Sequence, residues 1–235
     1  MNALARAAGS GLNPLPSKRA KTAHHAEETA VLKIYGQARS RAFRVLWLCK
    51  ESDIPYEHNP VSINVPNAQA KEDWYVKLNP NARVPTIDDD GFVMWESAAI
   101  NLHLARKYQS PLWPNTVEGE GRALQWAFFI ANDVEPRVVG LLQQRVMLPA
   151  EKRDAAIDAE LDAELQPRLR VLEDQLDKAA YFGGDRWDLS DFMIASVLFT
   201  LVTLKFDLSK YPKLDAWLKA TIARPKTQDA IKLRG

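Results

Sequence analysis

The 235-residue sequence has a single cysteine, Cys49, and only four histidines. One thiol cannot build an internal disulfide framework, and a Cys-rich zinc site is equally out of reach. An excess of charge of one sign is also lacking. There are 31 Lys and Arg against 30 Asp and Glu, a formal net charge of +1, with no long same-sign run in the body of the chain. Nucleic acid is therefore not expected as a partner. No apolar run is long enough to span a bilayer, which takes about 20 residues. The longest, 192–204, already contains Ser196, Thr200 and Thr203 and reads as a buried core helix, so no membrane partner is expected. What is present is ordinary for a soluble globular protein: 46% hydrophobic and 26% charged residues, in a length that suits one large or two small domains. The lone cysteine fits a reducing cytoplasm, and packing is its expected role.

Residues 1–30 differ in kind. They carry Gly, Pro, Ser and Ala, no acid before Glu27 and no hydrophobic period, and read as a disordered extension. Their acid-poor, Arg- and Lys-bearing makeup also leaves an organelle-targeting reading open. His24 and His25 fall here, and two adjacent imidazoles without further ligands make a poor metal site, so no metal is expected.

From Val31 the pattern becomes a β-like run, VLKIY, a small polar stretch, GQARS, and a helical period over 41–52 that Asp53, Ile54 and Pro55 stop. A second strand is expected over 56–63 and a more polar helix over 68–77. NPNARVPTI then supplies turn residues and a proline at the head of a strand. Asp90-Gly91 signals a hairpin into GFVMW, with Asp88, Asp89 and Asp90 expected as a solvated turn. A helix follows over 97–108, capped by Ser97 and with Arg106 and Lys107 at its negative end. The order βαβ then ββα predicts a four-stranded mixed sheet with helices on both faces, a thioredoxin-like layout over 31–108.

Residues 109–117 (QSPLWPNTV) hold two prolines and no helical period and read as a linker. Beyond it, 118–235 is helical throughout, with periods over 118–147, 150–178, 192–204 and 212–223 and a short last turn near Thr227. The fold class expected is thus an α/β thioredoxin-like domain followed by an all-α helical bundle. Within DLSD, Asp188 and Asp191 have the spacing of an acidic capping box, a structural role.

Five stretches in this order, IYGQARSRAFRVLWLCKESDIPYE, NPNARVPTI, WESAAINLHLARKY, RWDLSDFMIASVLFTLV and YPKLDAWLKATIARP, resemble the cytosolic glutathione transferase superfamily, in its serine-using bacterial-type class, over 31–235. The resemblance implies an enzyme that binds glutathione as co-substrate, stabilises its thiolate and adds it to a small hydrophobic electrophile. Peroxide reduction or dehalogenation would use the same thiolate. It also implies a homodimer. The competing possibility is a transferase-like binding or assembly module without catalysis, since fold alone does not settle function.

The resemblance assigns Glu96 and Ser97 to the γ-glutamyl end. There the amide groups of a helix N-terminus favour a carboxylate and Glu96 offers a partner to the ammonium; a plain helix cap is the competing role of Ser97. It implies a cis bond between Val84 and Pro85, with the Val84 main chain pairing with the tripeptide like an added strand. Arg83, and less directly Lys71, are placed to reach the glycyl carboxylate. For the thiol, counting five residues on from Tyr35 gives Ser40, the hydroxyl position of the serine-using relatives, whereas counting back from DIPYE gives Arg39. Ser40 is the first candidate and Arg39 the second, and Ser40 as a simple helix cap stays open. Such surroundings lower thiol pKa values from about 8.5 to roughly 3.5–7.5. Trp126, Phe129 and Arg137 are candidates for the electrophile wall, although an aromatic stripe at helical spacing also suits a core. His58 and His103 show no arrangement suited to general-base work.

Overall fold

The computed structural model describes residues 31–235. The expected disordered extension and the His24–His25 pair lie outside the described residues. Four strands, β1 (Leu32–Tyr35), β2 (Tyr56–Asn59), β3 (Thr86–Asp89) and β4 (Phe92–Trp95), form one sheet in the order β2-β1-β3-β4. β1 and β2 are parallel and the other two pairings antiparallel, which is the expected mixed sheet. β2 is shorter than its apolar pattern suggests. Pro60 follows Asn59 and has no N–H for a ladder, so the strand stops there.

Strand alternation sends Leu32 and Ile34 to one face, where they meet Ile87 and the buried sides of α1 (Ala42–Ser52) and α3 (Ser97–Lys107). On the other face Tyr35 packs with Val61, Ala70, Val84 and Tyr75 of α2 (Asp73–Leu78). The expected helix over 68–77 is divided here: a single turn, Gln69–Lys71, precedes α2. The triple-aspartate turn also divides. Asp88 accepts the Gly91 N–H at 2.8 Å and Asp90 adopts φ 58°, as a hairpin requires. Asp89 instead is buried against Lys107 Nζ at 2.7 Å and the Tyr108 hydroxyl at 2.8 Å. Cys49 is buried, and burial pushes its thiol pKa up.

The helical half comprises α4 (Val117–Phe129), α5 (Glu135–Leu142), α6 (Ala155–Leu176), α7 (Leu189–Thr203), α8 (Pro212–Ile222) and α9 (Pro225–Lys232). Thr116 caps α4 by accepting the Gly119 N–H at 3.0 Å. The expected continuous helix over 118–147 is broken by two wide π turns, Ile130–Val134 and Gln143–Met147. Pro136 accounts for the first. It lacks an N–H, and its ring crowds the carbonyl four residues back, so the turn widens before α5 begins. Arg137 donates to the carbonyls of Asn132 and Asp133 at 3.5 and 3.4 Å.

α7 is the buried centre, and its start shows the capping box. Asp188 accepts the Ser190 N–H at 2.8 Å, and Asp191 accepts that of Asp188 at 3.4 Å. Asp191 also takes N–H groups from Phe182, Gly183 and the Trp217 indole at 3.1, 3.2 and 2.9 Å. Burial still dominates and pushes its pKa up to about 6. Gly183 is required beside it, because a Cβ there would overlap the Asp188 carboxyl group. The expected last turn is a full helix, α9, lying on α1. Glu51, on α1, accepts from Trp47 Nε1 at 3.1 Å, Thr227 Oγ1 at 2.7 Å and Arg224 at 3.0 Å.

Candidate functional site

Between one end of the sheet and the bundle lie two adjoining cavities, of about 340 and 440 Å³, volumes typical of small-molecule sites. The first is floored by the loop before β3. Asn79 Nδ2 donates to the Arg83 carbonyl at 2.8 Å, and the Tyr75 hydroxyl donates to the same carbonyl at 2.7 Å. These bonds fix the loop so that Val84 faces the cavity. The Val84–Pro85 bond is cis, as the resemblance implied. The ladder of β3 begins only at Thr86, so the Val84 main chain lies outside it and can pair with an extended ligand.

Opposite this loop stand Glu96 and Ser97. Glu96 is exposed and holds φ 77°, a conformation a non-glycine residue adopts at a cost of about 1–3 kcal/mol, and such strain clusters at ligand sites. Its side chain does not cap α3. The first amides of that helix therefore point, uncapped by Glu96, beside a buried Ser97 hydroxyl, an arrangement suited to a carboxylate. Arg83 and Asn81 also line this cavity, and Arg83 is exposed and free to meet a second carboxylate.

The second cavity opens at the head of α1. Gln37, Arg39, Ser40 and Arg41 meet it there, and Phe43, Phe199, Leu142 and Met147 supply an apolar wall. Ser40 Oγ donates to the Gln37 carbonyl at 2.6 Å and accepts the Ala42 N–H at 3.1 Å, so in this geometry it caps the helix. Arg39 donates to the main-chain oxygens of Arg234 and Gly235 at 2.8 and 3.1 Å. The Arg234 guanidinium lies over the rings of Phe43 and Phe199, 4.8 and 5.2 Å from their centroids. Burial, together with the neighbouring Arg39, holds its pKa below the usual arginine value.

The structure thus brings together Arg39, Ser40, Arg83, Val84, Pro85, Glu96 and Ser97 along a groove made of two adjoining cavities. Lys71 is exposed in the turn before α2 and lines neither cavity. Trp126, Phe129 and Arg137, expected as an electrophile wall, line neither cavity. Trp126 is buried with its indole donating to the Phe182 carbonyl at 3.2 Å, Phe129 packs on it at 5.7 Å between ring centroids, and Arg137 pairs with Glu164 at 2.7 Å. The aromatic stripe is core, and the apolar lining of the second cavity comes from Phe43, Phe199 and the second π turn instead.

Three side chains at the site were not anticipated. Arg41 Nε meets Glu135 Oε1 at 2.5 Å, and Arg44 Nη1 meets Glu135 Oε2 at 2.6 Å. Burial would raise the Glu135 pKa, but Arg44 and then Arg41 outweigh it and hold the carboxyl below the usual range. One signal was available: Arg39, Arg41 and Arg44 crowd the positive end of a helix, where cations are disfavoured unless something pairs with them.

The profile of "Glutathione S-transferase, N-terminal domain" matches residues 30–106, and that of the "C-terminal domain" matches 139–225. The chain is 30% identical over 207 residues to Glutathione S-transferase hmp2 of Hypomyces subiculosus, covering 83% of this chain and 94% of that protein. It is 28% identical over 198 residues to Glutathione S-transferase GstB of Escherichia coli K12, covering 81% and 92%. Among solved structures, a glutathione S-transferase-I bound with lactoylglutathione superposes with TM-score 0.78 at 28% identity, covering 87% of this chain and all of that one. A theta class enzyme from Xanthomonas axonopodis pv. citri with glutathione bound shares the fold, with TM-score 0.80 at 24% identity over 86% of this chain and 98% of its own.

Proposed function

Since the chain belongs to the glutathione S-transferase family and is a glutathione transferase, we propose that it binds glutathione along the first cavity and adds the thiolate to a small hydrophobic electrophile in the second. The observation that carries this reading is that the two cavities adjoin and share Arg41, Val84 and Val139 as lining, one polar and bounded by an uncapped helix end, the other walled by Phe43, Phe199, Leu142 and Met147. In this account the sheet half, 31–108, holds the tripeptide and the helical half, 118–235, completes the electrophile wall.

The γ-glutamyl carboxylate meets the amides and hydroxyl at the start of α3, and Glu96 takes the ammonium. The tripeptide backbone runs beside Val84, and Arg83 receives the glycyl carboxylate. The thiol then lies near the head of α1, where the helix N-terminus favours its anion. Ser40 and Arg39, the two activating groups that a serine-type site would use, stand at this helix head with their donors turned to main-chain oxygens. The same thiolate would serve peroxide reduction or dehalogenation. The lone, buried Cys49 supports a reducing cytoplasmic compartment.

We further propose a homodimer. Phe92, Val93 and Trp95 on the sheet-edge strand β4, and Leu124 and Phe128 on α4, are exposed large apolar side chains that a second copy would cover.

Titration of the full chain with reduced glutathione in a calorimeter, followed by conjugation to a chlorodinitrobenzene, tests the central reading. Saturable binding with turnover is expected, and Glu96→Ala and Ser97→Ala each weaken binding. Absence of saturation on folded protein would refute it.

A further inference from the structure

Resting on the glutathione reading above, we infer that the Arg41 guanidinium is the group that pairs with the substrate sulfur and lowers its pKa. Three residues line both cavities: Arg41, Val84 and Val139. Arg41 is the only one of them with a polar side chain. A thiol held in one cavity that attacks an electrophile held in the other must place its sulfur where the two meet. Arg41 stands at that junction.

The neighbouring candidates are otherwise engaged. Ser40 has one proton, and it is already donated to the Gln37 carbonyl at 2.6 Å. Arg39 lines the second cavity only, and its Nε and Nη2 are occupied by main-chain oxygens of residues 234 and 235. Arg41 by contrast commits only Nε, to Glu135. Neither of its terminal Nη groups has a hydrogen-bond partner among the described residues, so a forked pair of donors remains for a ligand.

Charge bookkeeping points the same way. Arg41, Arg44 and Glu135 carry a net single positive charge, and the Arg44 side chain is 9% exposed and the Glu135 side chain 11%, against 48% for Arg41. The residual charge is therefore presented to the groove by Arg41, while Glu135 is neutralised and fixes the guanidinium. A cation within about 4–6 Å lowers an acid's pKa by about 1–3 units, and the N-terminus of α1 acts in the same sense. The wide turn Ile130–Val134 carries the chain to Glu135, directly after it, and so links the break at Pro136 to this pairing.

The ultraviolet absorbance of the thiolate of bound glutathione, followed against pH on the full chain, tests the assignment. Arg41→Met and Arg41→Gln are expected to raise the bound thiol's pKa by about 1–3 units, with calorimetric affinity for glutathione largely kept because its carboxylates bind elsewhere. Ser40→Ala is expected to leave the thiol pKa where it is. Arg41→Lys, with one head group for two partners, raises it by less. If the neutral variants do not fold, the lysine variant decides alone, since an unchanged thiol pKa there overturns the assignment. A wild-type titration in both neutral variants, or a rise in Ser40→Ala equal to that expected for Arg41, overturns it as well. Failure of the unaltered chain to bind glutathione at all would instead defeat the proposed function.

Discussion

Gly36 lies so close to Val84 that a Cβ added to it would stand 2.8 Å from the Val84 Cβ, and 2.7 Å from that of Ala42 on the other side. The end of β1, the head of α1 and the loop that faces the ligand are therefore in contact at one point. Its φ of 133° is a second reason for glycine.

Gly36→Ala is expected to push the Val84 loop away from α1 and widen the first cavity. Overpacking costs roughly 1–3 kcal/mol, and the positive φ adds strain of similar order. The glutathione dissociation constant should rise by about tenfold or more, as 1.4 kcal/mol is a factor of ten, together with a lower melting temperature. Calorimetry and a thermal melt on the same sample check both. Unchanged affinity would show that the loop yields without moving Val84.

Much of this site could be read from sequence because its parts are local. Ser97 begins a helix straight after a strand, Val84-Pro85 sits at the head of another, and Asp188 and Asp191 cap α7 within four residues. What escaped is long-range or degenerate. Arg41 finds Glu135 across 94 positions, a distance no periodicity spans. Trp126 and Phe129 repeat at helical spacing whether they face a core or a cavity, and here they face the core. The π turn ahead of Pro136 follows from a missing N–H that could equally have kinked or ended the helix.

Phe92 is 51% exposed and Phe128 66% exposed, both too large and apolar to be left in water without consequence. Sedimentation of the full chain should therefore give twice the 26.5 kDa chain mass. Phe92→Glu combined with Phe128→Glu should give the single mass while preserving the circular dichroism spectrum. A wild-type monomer, or a variant that still pairs, would exclude these side chains from the interface.

Asp191 supplies a pH dependence whose sign is fixed by its burial. Its pKa is about 6 in the folded chain against 3.8 when unperturbed. Between those values the folded state holds a proton that the unfolded state has released, so stability from this group falls as pH rises through the window and is level above it. Asp191→Asn lacks this titration. The lead of the unaltered chain over that variant, from urea midpoints, should shrink between about pH 4 and pH 6. A lead that grows instead would mean that the four N–H donors outweigh burial.

Glu51 joins α1 to α9, and through it the core to the second cavity. Its carboxylate is 1% exposed and takes donors from Trp47, Thr227 and Arg224, while Lys226 reaches its main-chain oxygen at 3.1 Å. Glu51→Ala leaves a buried indole N–H and hydroxyl without an acceptor. The cost should fall near the lower end of the roughly 3–5 kcal/mol typical of a broken buried pair, because Arg224 is partly exposed. The loss should be concentrated in Pro225–Lys232, whose amides would exchange with solvent faster than those of α7. Arg234 lies two residues beyond that helix and packs over Phe43 and Phe199, so loosening α9 loosens the wall of the second cavity. The KM for the electrophile should then rise while that for glutathione, held by the sheet half, stays nearly constant. Exchange mass spectrometry and a two-substrate kinetic series measure the two effects, and an equal rise in both KM values would show that the two cavities are not separable in this way.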